Sequence, residues 1–498
     1  MRLPTLRSFY RGLGFVAIAL TLAGCDTTLT AGGGHPEFTI AVGTAATAVT
    51  QSGSVSTSIK ATRLDGLTAA IGYTVTGAPN GLAATIVTTG VADSLTLTMT
   101  ASATVTPGEY VLVVRATAGD FVHVKAIRVT VIQAVTPPND NPPAIVFVAV
   151  GAHTCAIDVA GKAYCWGYNG NGQLGNNTTS LVNPTPVAVH GGISFKEISV
   201  SRVADVSCGL TFAGAAYCWG SNESGQLGDG TKIRRLVPTP VAGGRIFKSL
   251  AVGSTHVCAV SIEGTAWCWG TSPAGAFGDG STGEHLTAVP VLGLTFRNIV
   301  AGTDFTCGLT TTNLVYCWGL GPSGQLGNGL ATTSTTPVAV SGGRVFRTIT
   351  AGIQAVCGVD FASAAYCWGL NSFGTLGEGS SETTGGPGKR AEPTAVLGGH
   401  AFVDLSVGVQ TSCGAEADGK GFCWGYNFGA VGDGTDEHRS TPTAIVGALA
   451  FRSVVAGSGF SCGLTAGNAV YCWGDNTSGS LGNGTTAPTK VPVAVRWP

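Results

Sequence analysis

Fourteen of the fifteen cysteines stand in pairs ten residues apart: Cys155 and Cys165, Cys208 and Cys218, Cys258 and Cys268, Cys307 and Cys317, Cys357 and Cys367, Cys413 and Cys423, Cys462 and Cys472. No other feature limits the possible folds as tightly. Successive pairs begin 53, 50, 49, 50, 56 and 49 residues apart, so a unit of about 50 residues recurs seven times. A repeat of that length implies supersecondary units that cannot bury their apolar faces alone and stack to do so.

If Cys155 and Cys165 oppose each other on an antiparallel hairpin, the midpoint falls on Ala160 and the loop must have an odd number of residues. The usual solution has about three residues and ends in one with positive φ. Six residues past the first cysteine the sequence supplies Gly161, Gly214, Gly264, Asn313, Ser363, Gly419 and Asn468. Glycine and asparagine tolerate that conformation, and only Ser363 strains the rule. Directly opposed cysteines lie close enough to bridge, so one disulfide is expected inside each hairpin. In the chain-entropy account such a short loop contributes about 3 kcal/mol per bridge. A structural zinc site competes for these residues but needs four ligands, and each pair lacks a CxxC or histidine partner. No metal and no cofactor are therefore expected.

The residue before the second cysteine is Tyr164, Tyr217, Trp267, Tyr316, Tyr366, Phe422 or Tyr471, and Trp166, Trp219, Trp269, Trp318, Trp368, Trp424 and Trp473 follow it. Alternation along a strand turns the cysteine to one face and both aromatics to the other. Both faces are thus apolar, as in a strand covered on two sides. Seven all-β units of this kind over 144–498 fit a seven-bladed β-propeller, with the two ends of the region meeting in one blade or in adjacent blades.

The first residues carry a different message. Arg2, Arg7 and Arg11 accompany the apolar run from Leu13 to Leu22, which is too short to span a membrane as a mature helix. The "LAGC" from Leu22 to Cys25 resembles a bacterial lipobox. That resemblance implies a lipoprotein signal peptide over 1–24, a lipid anchor on Cys25 as the membrane attachment, and export to the bacterial cell envelope on its periplasmic or cell-surface face. An oxidising compartment permits disulfides. A flexible tether is expected over 25–37.

From 38 to 133 the pattern alternates with period two. In "SLTLTMTAS" Leu95, Leu97, Met99 and Ala101 share one face, and Tyr110, Leu112, Val114 and Ala116 do so further on. In "FVHVKAIRVTVI" a slip of parity between Lys125 and Arg128 suggests a bulge near Ala126. Short strands separated by turn signals suggest a β-sandwich, and the stretch resembles the immunoglobulin-like spacer modules of exported bacterial proteins. A Pro-rich linker over 134–143 follows.

The repeats themselves, in "YCWGYNGNGQLG" and "YCWGSNESGQLGDGT", resemble those of the regulator of chromosome condensation family, whose members form seven-bladed propellers. The triplet "QLG" becomes "AFG" at Ala276, "TLG" at Thr375, "AVG" at Ala430 and "SLG" at Ser480, always with an apolar middle. The paired cysteines depart from eukaryotic members and are similar to secreted bacterial forms. The founding eukaryotic member is a nucleotide-exchange factor on chromatin, an activity that export does not let the resemblance carry over.

Chemistry is sparse. With 11% charged residues and a net charge of -1 there is no basic face for nucleic acid. No Ser-His-Asp order, P-loop or HExxH occurs, so no catalytic residue is assigned. His153 and His256 occupy a structural position of the repeat, and Asp229-Gly230, Asp279-Gly280 and Asp433-Gly434 read as turns. Scarce charges gather after these turns: Lys232, Arg234 and Arg235; Glu284 and His285; Lys389 and Arg390; Asp436, Glu437, His438 and Arg439. Equivalent positions share one face, so these residues are the candidate partner-binding set. The expected protein is a non-enzymatic, monomeric, envelope-anchored lipoprotein that offers its propeller to an unidentified protein ligand. An inhibitor or modulator of an exported enzyme is one alternative. A carbohydrate-active enzyme with paired carboxylates at the ring's axis is the other.

Overall fold

A computed structural model describes residues 38–43, 46–64, 66–88, 93–106, 108–132, 142–380 and 388–498. The expected leader (1–24), Cys25, the tether (25–37) and most of the Pro-rich linker (134–143) lie outside the described residues. These form two compact units, one drawn from segments up to Val129 and the other chiefly from Thr130 to Pro498.

The amino-terminal unit has two four-stranded sheets. One follows the order Phe38–Val42, Ser54–Arg63, Ser94–Ala101, Leu82–Thr88, and the other Ala46–Thr50, Phe121–Ile132, Gly108–Ala118, Gly72–Thr76. The period-two pattern is the cause of this arrangement: Leu95, Leu97, Met99 and Ala101 are buried on one face, as are Leu112, Val114 and Ala116. Phe38, Ile40 and Ala61 of one sheet meet Ala116 and Ala118 of the other in a shared core. The slip of parity expected near Ala126 does not occur. His123, Ile127, Val129 and Val131 keep one buried face, with Lys125 half-buried on the same parity. A lysine can lay its aliphatic stem along an apolar face while its ammonium reaches water, so it need not mark the outer face.

The carboxy-terminal unit consists of seven four-stranded sheets, over 145–188, 195–240, 247–290, 296–339, 346–395, 402–444 and 451–494, each with its strands in sequence order. Helix among the described residues is confined to 3-10 turns at Ser341–Gly343 and Ser372–Gly374. In every sheet the two cysteines are directly opposed on the second and third strands. They stand at S–S distances of 2.00 to 2.13 Å. The residue six past the first cysteine has positive φ in all seven, including Ser363 at 65°. Asp360 accommodates that serine, because its Oδ1 accepts the N–H groups of Ala362 and Ala364, both at 2.9 Å, and braces the turn from within. Each outer strand contains proline, such as Pro184, Pro238, Pro337 and Pro442, which keeps an exposed sheet edge from pairing further.

Adjacent sheets are locked by the "QLG"-type triplet. The indole N–H of each repeat tryptophan donates to the carbonyl of the triplet's first residue in the preceding sheet: Trp219 to Gln173 at 2.8 Å, Trp269 to Gln226 at 3.0 Å, Trp318 to Ala276 at 2.9 Å, Trp368 to Gln325 at 3.1 Å, Trp424 to Thr375 at 2.9 Å, Trp473 to Ala430 at 3.0 Å. Only a backbone carbonyl is used, which is why the first residue varies. The middle residue is wholly buried, at Leu174, Leu227, Phe277, Leu326, Leu376, Val431 and Leu481. The glycine lies against the indole: a Cβ on Gly175 would stand 2.7 Å from Trp219 Nε1, and one on Gly228 2.6 Å from Trp269 Nε1. All seven repeat tryptophans are fully buried, each contributing about 4 to 6 kcal/mol as an upper figure from apolar area.

The last sheet repeats this contact with the first. Trp166 donates to Ser480 O at 2.9 Å, and Cys462, Cys472 and Leu481 share a core with Ile145, Val148 and Trp166. The ends of the region thus lie in adjacent sheets and exchange no strand. In the other six sheets a phenylalanine of the first strand packs on the tryptophan, as Phe195 does on Trp219 at 5.7 Å between centroids. The first sheet has Ile145 at that place, and Trp497 comes back from the chain end to sit edge-on to Tyr164 and Trp166 at 5.5 and 5.8 Å.

Candidate functional site

The loops between third and fourth strands gather at one end of the sheets, where the first strands also finish. Their shape comes from a buried asparagine. Asn222 Oδ1 accepts the N–H of Leu227 at 2.9 Å, and its Nδ2 donates to Asp229 Oδ1, Thr231 O and Ile233 O at 3.3, 2.9 and 3.1 Å. Asn169, Asn371, Asn427 and Asn476 make the equivalent bonds to Leu174, Leu376, Val431 and Leu481. The "DG" aspartates are therefore turn acceptors: Asp229 Oδ1 receives Thr231 N and Oγ1 at 3.0 and 2.7 Å. Burial would raise the Asp229 pKa, but hydrogen bonds from Thr231 and Arg235 outweigh it and hold the carboxyl below its ordinary value.

Comparing the seven loops assigns most of the candidate partner-binding residues. Where the turn residue is acidic, the outer-strand residue opposite the glycine that follows the repeat tryptophan is a base that binds it: Arg235 on Asp229 at 2.7 Å, His285 on Asp279 at 3.3 Å, Arg390 on Glu378 at 2.5 Å, Arg439 on Asp433 at 2.7 Å. Where it is Asn176, Asn328 or Asn483, the strand meets the sheet at neutral Asn183, Ser334 or Thr489. Arg235, His285, Arg390 and Arg439 are thus internal clamps. Other members bridge neighbouring loops, with Lys232 on Glu284 at 2.5 Å, Asp436 on Lys490 at 2.6 Å and Lys389 Nζ on Pro322 O at 3.1 Å. Glu437 lies 3.1 Å from Arg439, and Arg234 is exposed.

His438 belongs to a different grouping that the charge pattern did not reveal. Its ring stacks on Tyr426 at 4.9 Å and meets Phe373 edge-on at 4.7 Å, while Tyr426 contacts Phe373 and Phe428 at 4.8 and 5.0 Å. Its Nδ1 accepts the N–H of Asn427 at 3.0 Å, which fixes the ring. Phe428 is 60% exposed. Phe373 is held at φ 57°, a left-handed conformation that costs a bulky residue roughly 1 to 2 kcal/mol. The residue before the loop glycine, Phe373 here and Phe428 in the next repeat, is Asn171, Ser224, Ala274, Ser323 or Ser478 in the others, and of these seven only Phe373 has positive φ. The cue in the sequence was a large ring at this place in two successive repeats where the others carry small residues.

A cavity of about 550 Å³ is lined by the first strands of six of the seven sheets, including Phe147, Ser199, Leu250, Thr350, Ser406 and Ser453. Two carboxyls line it. Burial pushes Glu197 up to about 7 and Asp404 up to about 6, against hydrogen bonds from backbone N–H groups of the following sheet, of Leu250 and Val454. The cavity also holds Arg202. In the second repeat Cys208 stands 13 positions after Phe195, where the later repeats place the cysteine 11 positions after the phenylalanine, and the surplus forms a turn capped by Ser201 Oγ on Ala204 N at 3.0 Å. From that turn Arg202 Nε reaches across to Val407 O in the sixth sheet, at 2.5 Å.

His153 and His256 sit in the walls between sheets. Ser207 donates its own proton to Gln173 O, so His153 Nε2 is the donor in its 2.6 Å bond to Ser207 Oγ, and Nδ1 is left buried without a partner. Burial accordingly depresses His153 to about 3 and His256, bonded to Thr306, to about 4. Both are neutral struts.

The family profile described as an RCC1-like domain matches residues 210–497, and profiles of the regulator of chromosome condensation (RCC1) repeat match 160–216 and 146–173. The ultraviolet-B receptor UVR8 of Arabidopsis thaliana is 36% identical over 118 residues, which are 22% of this chain and 26% of the receptor. Probable E3 ubiquitin-protein ligase HERC4 of Homo sapiens is 36% identical over 95 residues, 19% of this chain and 9% of the ligase. The matches thus span about a quarter of the receptor and under a tenth of the ligase. Among solved structures, human WBSCR16 superposes with a TM-score of 0.61 at 17% identity over 68% of this chain and 94% of its own. Prp20p from Saccharomyces cerevisiae, described with its binding to Gsp1p and histones, gives 0.60 at 20% identity over 72% of this chain and 91% of its own. At such identities the likeness is one of fold, an all-β propeller of RCC1 type.

Proposed function

The chain belongs to the RCC1-like domain family, and from that premise we propose that it is a non-enzymatic, lipid-anchored envelope protein whose seven-bladed propeller is a platform for one protein ligand. The contact of the last sheet with the first supports seven blades closed into a ring. In this reading residues 1–24 are removed, Cys25 carries the lipid, 25–37 tether it, and the two-sheet unit over 38–133 is an immunoglobulin-like spacer joined by 134–143. The propeller works as a monomer and binds no nucleic acid. The observation that carries the ligand-binding role is the aromatic group of Phe373, Tyr426, Phe428 and His438, an exposed apolar contact on loops that asparagine and ion-pair clamps hold rigid. Exposed aromatics on a rigid scaffold carry binding energy at small entropic cost.

The test uses site-specific photocrosslinking from position 428 in envelope extract of the native host. The expected result is one discrete adduct that Phe373→Gly with Tyr426→Ser abolishes and Arg235→Ser leaves intact. No adduct, or an adduct indifferent to the aromatic changes, overturns the reading. A second reading, catalysis on glycans at the axis, draws on Glu197 and Asp404 lining one cavity. Hydrolysis of any member of a glycan panel by the chain, lost in Glu197→Gln, would replace the platform reading.

A further inference from the structure

The central cavity contains a cation, Arg202, that is ion-paired with none of the described residues. Arg202 forms one hydrogen bond, from Nε to Val407 O, and no ion pair with a described residue. Burial is what acts on its pKa, lowering it to about 10, so the guanidinium keeps its charge at neutral pH. Glu197 and Asp404 stand near the start of their first strands, whereas Arg202 lies beyond the finish of its own and bonds to Val407, the last residue of another, so the two carboxyls line the opposite end of the cavity. Arg202 is half-buried, a charge partly withdrawn from water without an ion-pair partner, and only one of the seven repeats carries the two extra residues that put it there.

The rest of the cavity is arranged along its length. Arg202 stands at the end where it also borders a small void beside Gly253, Gly302 and Gly352. At the other end the first strands begin and Val146 is 43% exposed. There Arg297 Nη2 reaches Phe346 O at 3.2 Å, Arg347 Nη2 reaches Phe402 O at 2.9 Å and Arg452 Nη2 reaches Ile145 O at 2.8 Å, each in the following sheet. Of these Arg452 lines the cavity, and Glu197 and Asp404, each the third residue of its first strand, line the same end. Between the ends, hydroxyls of Ser199, Thr350, Ser406 and Ser453 alternate with apolar Val148, Val200, Leu250 and Val455.

We propose that this cavity is a binding site for a small hydroxylated oxyanion, a carboxylate or a phosphate ester, anchored by Arg202 at the end away from Glu197 and Asp404. The planar fork of the guanidinium, with Nε already directed to Val407, offers its two remaining nitrogens to two oxygens of one anionic group. The hydroxyls suit a polyol body, and the volume suits a ligand of sugar size. This site is separate from the aromatic surface proposed for the protein ligand.

Calorimetric titration of the full chain with sodium D-gluconate, glucose 6-phosphate, inorganic phosphate and neutral glucose tests it. The expected result is one-to-one binding of gluconate or glucose 6-phosphate, which separates the two anion sources, with glucose at least about tenfold weaker. Arg202→Met removes the bond and weakens binding by about tenfold or more, while its melting temperature in ligand-free buffer stays level or rises, because a half-buried charge without an ion-pair partner has gone. Thr350→Trp, which fills the cavity and leaves Arg202 in place, blocks binding independently. Binding of none of the anions, glucose binding as tightly as gluconate, or anion binding indifferent to both variants overturns the proposal.

Discussion

Replacing Gly228 by alanine tests the lock between sheets directly. Gly228 has φ +67°, so any side chain there bears the left-handed cost of about 1 kcal/mol. The new methyl would also stand 2.6 Å from Trp269 Nε1 and 2.7 Å from its Cδ1. That indole is fully buried and anchored to Gln226 O at 3.0 Å, so it cannot yield without overpacking the core by about 1 to 3 kcal/mol and straining a hydrogen bond of about 1 kcal/mol. The sum is about 3 to 5 kcal/mol. Gly230, two residues on, is the control: its φ is +81°, but the nearest atom to a Cβ is Thr287 Cγ2 at 4.0 Å, so Gly230→Ala should cost only about 1 kcal/mol. Guanidinium unfolding of the full chain, followed by tryptophan fluorescence and circular dichroism, compares the two. Trp269→Phe in the Gly228→Ala background should recover at least about 1 kcal/mol, since it removes the edge of the ring that the methyl strikes. Equal destabilisation by the two glycine substitutions, or no coupling to Trp269, would refute the reasoning.

Peptide mapping without reduction should find seven links, each within one hairpin, and Cys307→Ser with Cys317→Ser should lose about 3 kcal/mol; links between sheets would contradict the register. His153 is neutral when folded, with a pKa of about 3, and regains its ordinary 6.5 when unfolded, so the unfolded chain binds more protons and stability falls as pH drops from 6.5 toward 3. His153→Phe, the residue found at Phe305 and Phe460, should therefore shrink the stability difference between pH 7 and pH 5 by about 2 kcal/mol, and an unchanged difference would count against a buried neutral imidazole. Trp497→Ala should lower stability by about 2 kcal/mol and open Trp166 to acrylamide quenching, whereas deleting Pro498 should do neither; an unprotected Trp166 in the parent chain would deny Trp497 its role.

Glu197 and Asp404 illustrate what a repeat hides. Each stands two residues past the phenylalanine that opens a first strand, where Ser249, Asn298, Thr348 and Ser453 occur in other sheets. In sequence they are two acids among ordinary loop charges, because the strand's inward direction follows from closure and not from local pattern. The clamp of Arg235, Arg390 and Arg439 was legible in principle, since acid and base change together from one repeat to the next. Their position after turn signals suggested a solvent-facing set, and nothing local gives the direction in which a guanidinium folds back.

Local rules were enough for the hairpins. A separation of ten fixes which residues face each other, that register demands a left-handed residue at a fixed offset, and alternation then sends cysteine and tryptophan to opposite sides; these constraints act within a dozen residues and therefore travel with the chain. What a given residue touches in the next unit is set by packing across about 45 residues of intervening chain, and that was decided only when the sheets closed on one another. The partner of each indole, the return of Trp497 to stand in for a missing phenylalanine, and the delivery of Arg202 to the axis by a two-residue surplus all belong to that second level. Short-range sterics and hydrogen bonding write the unit, whereas burial of apolar surface between units selects their neighbours.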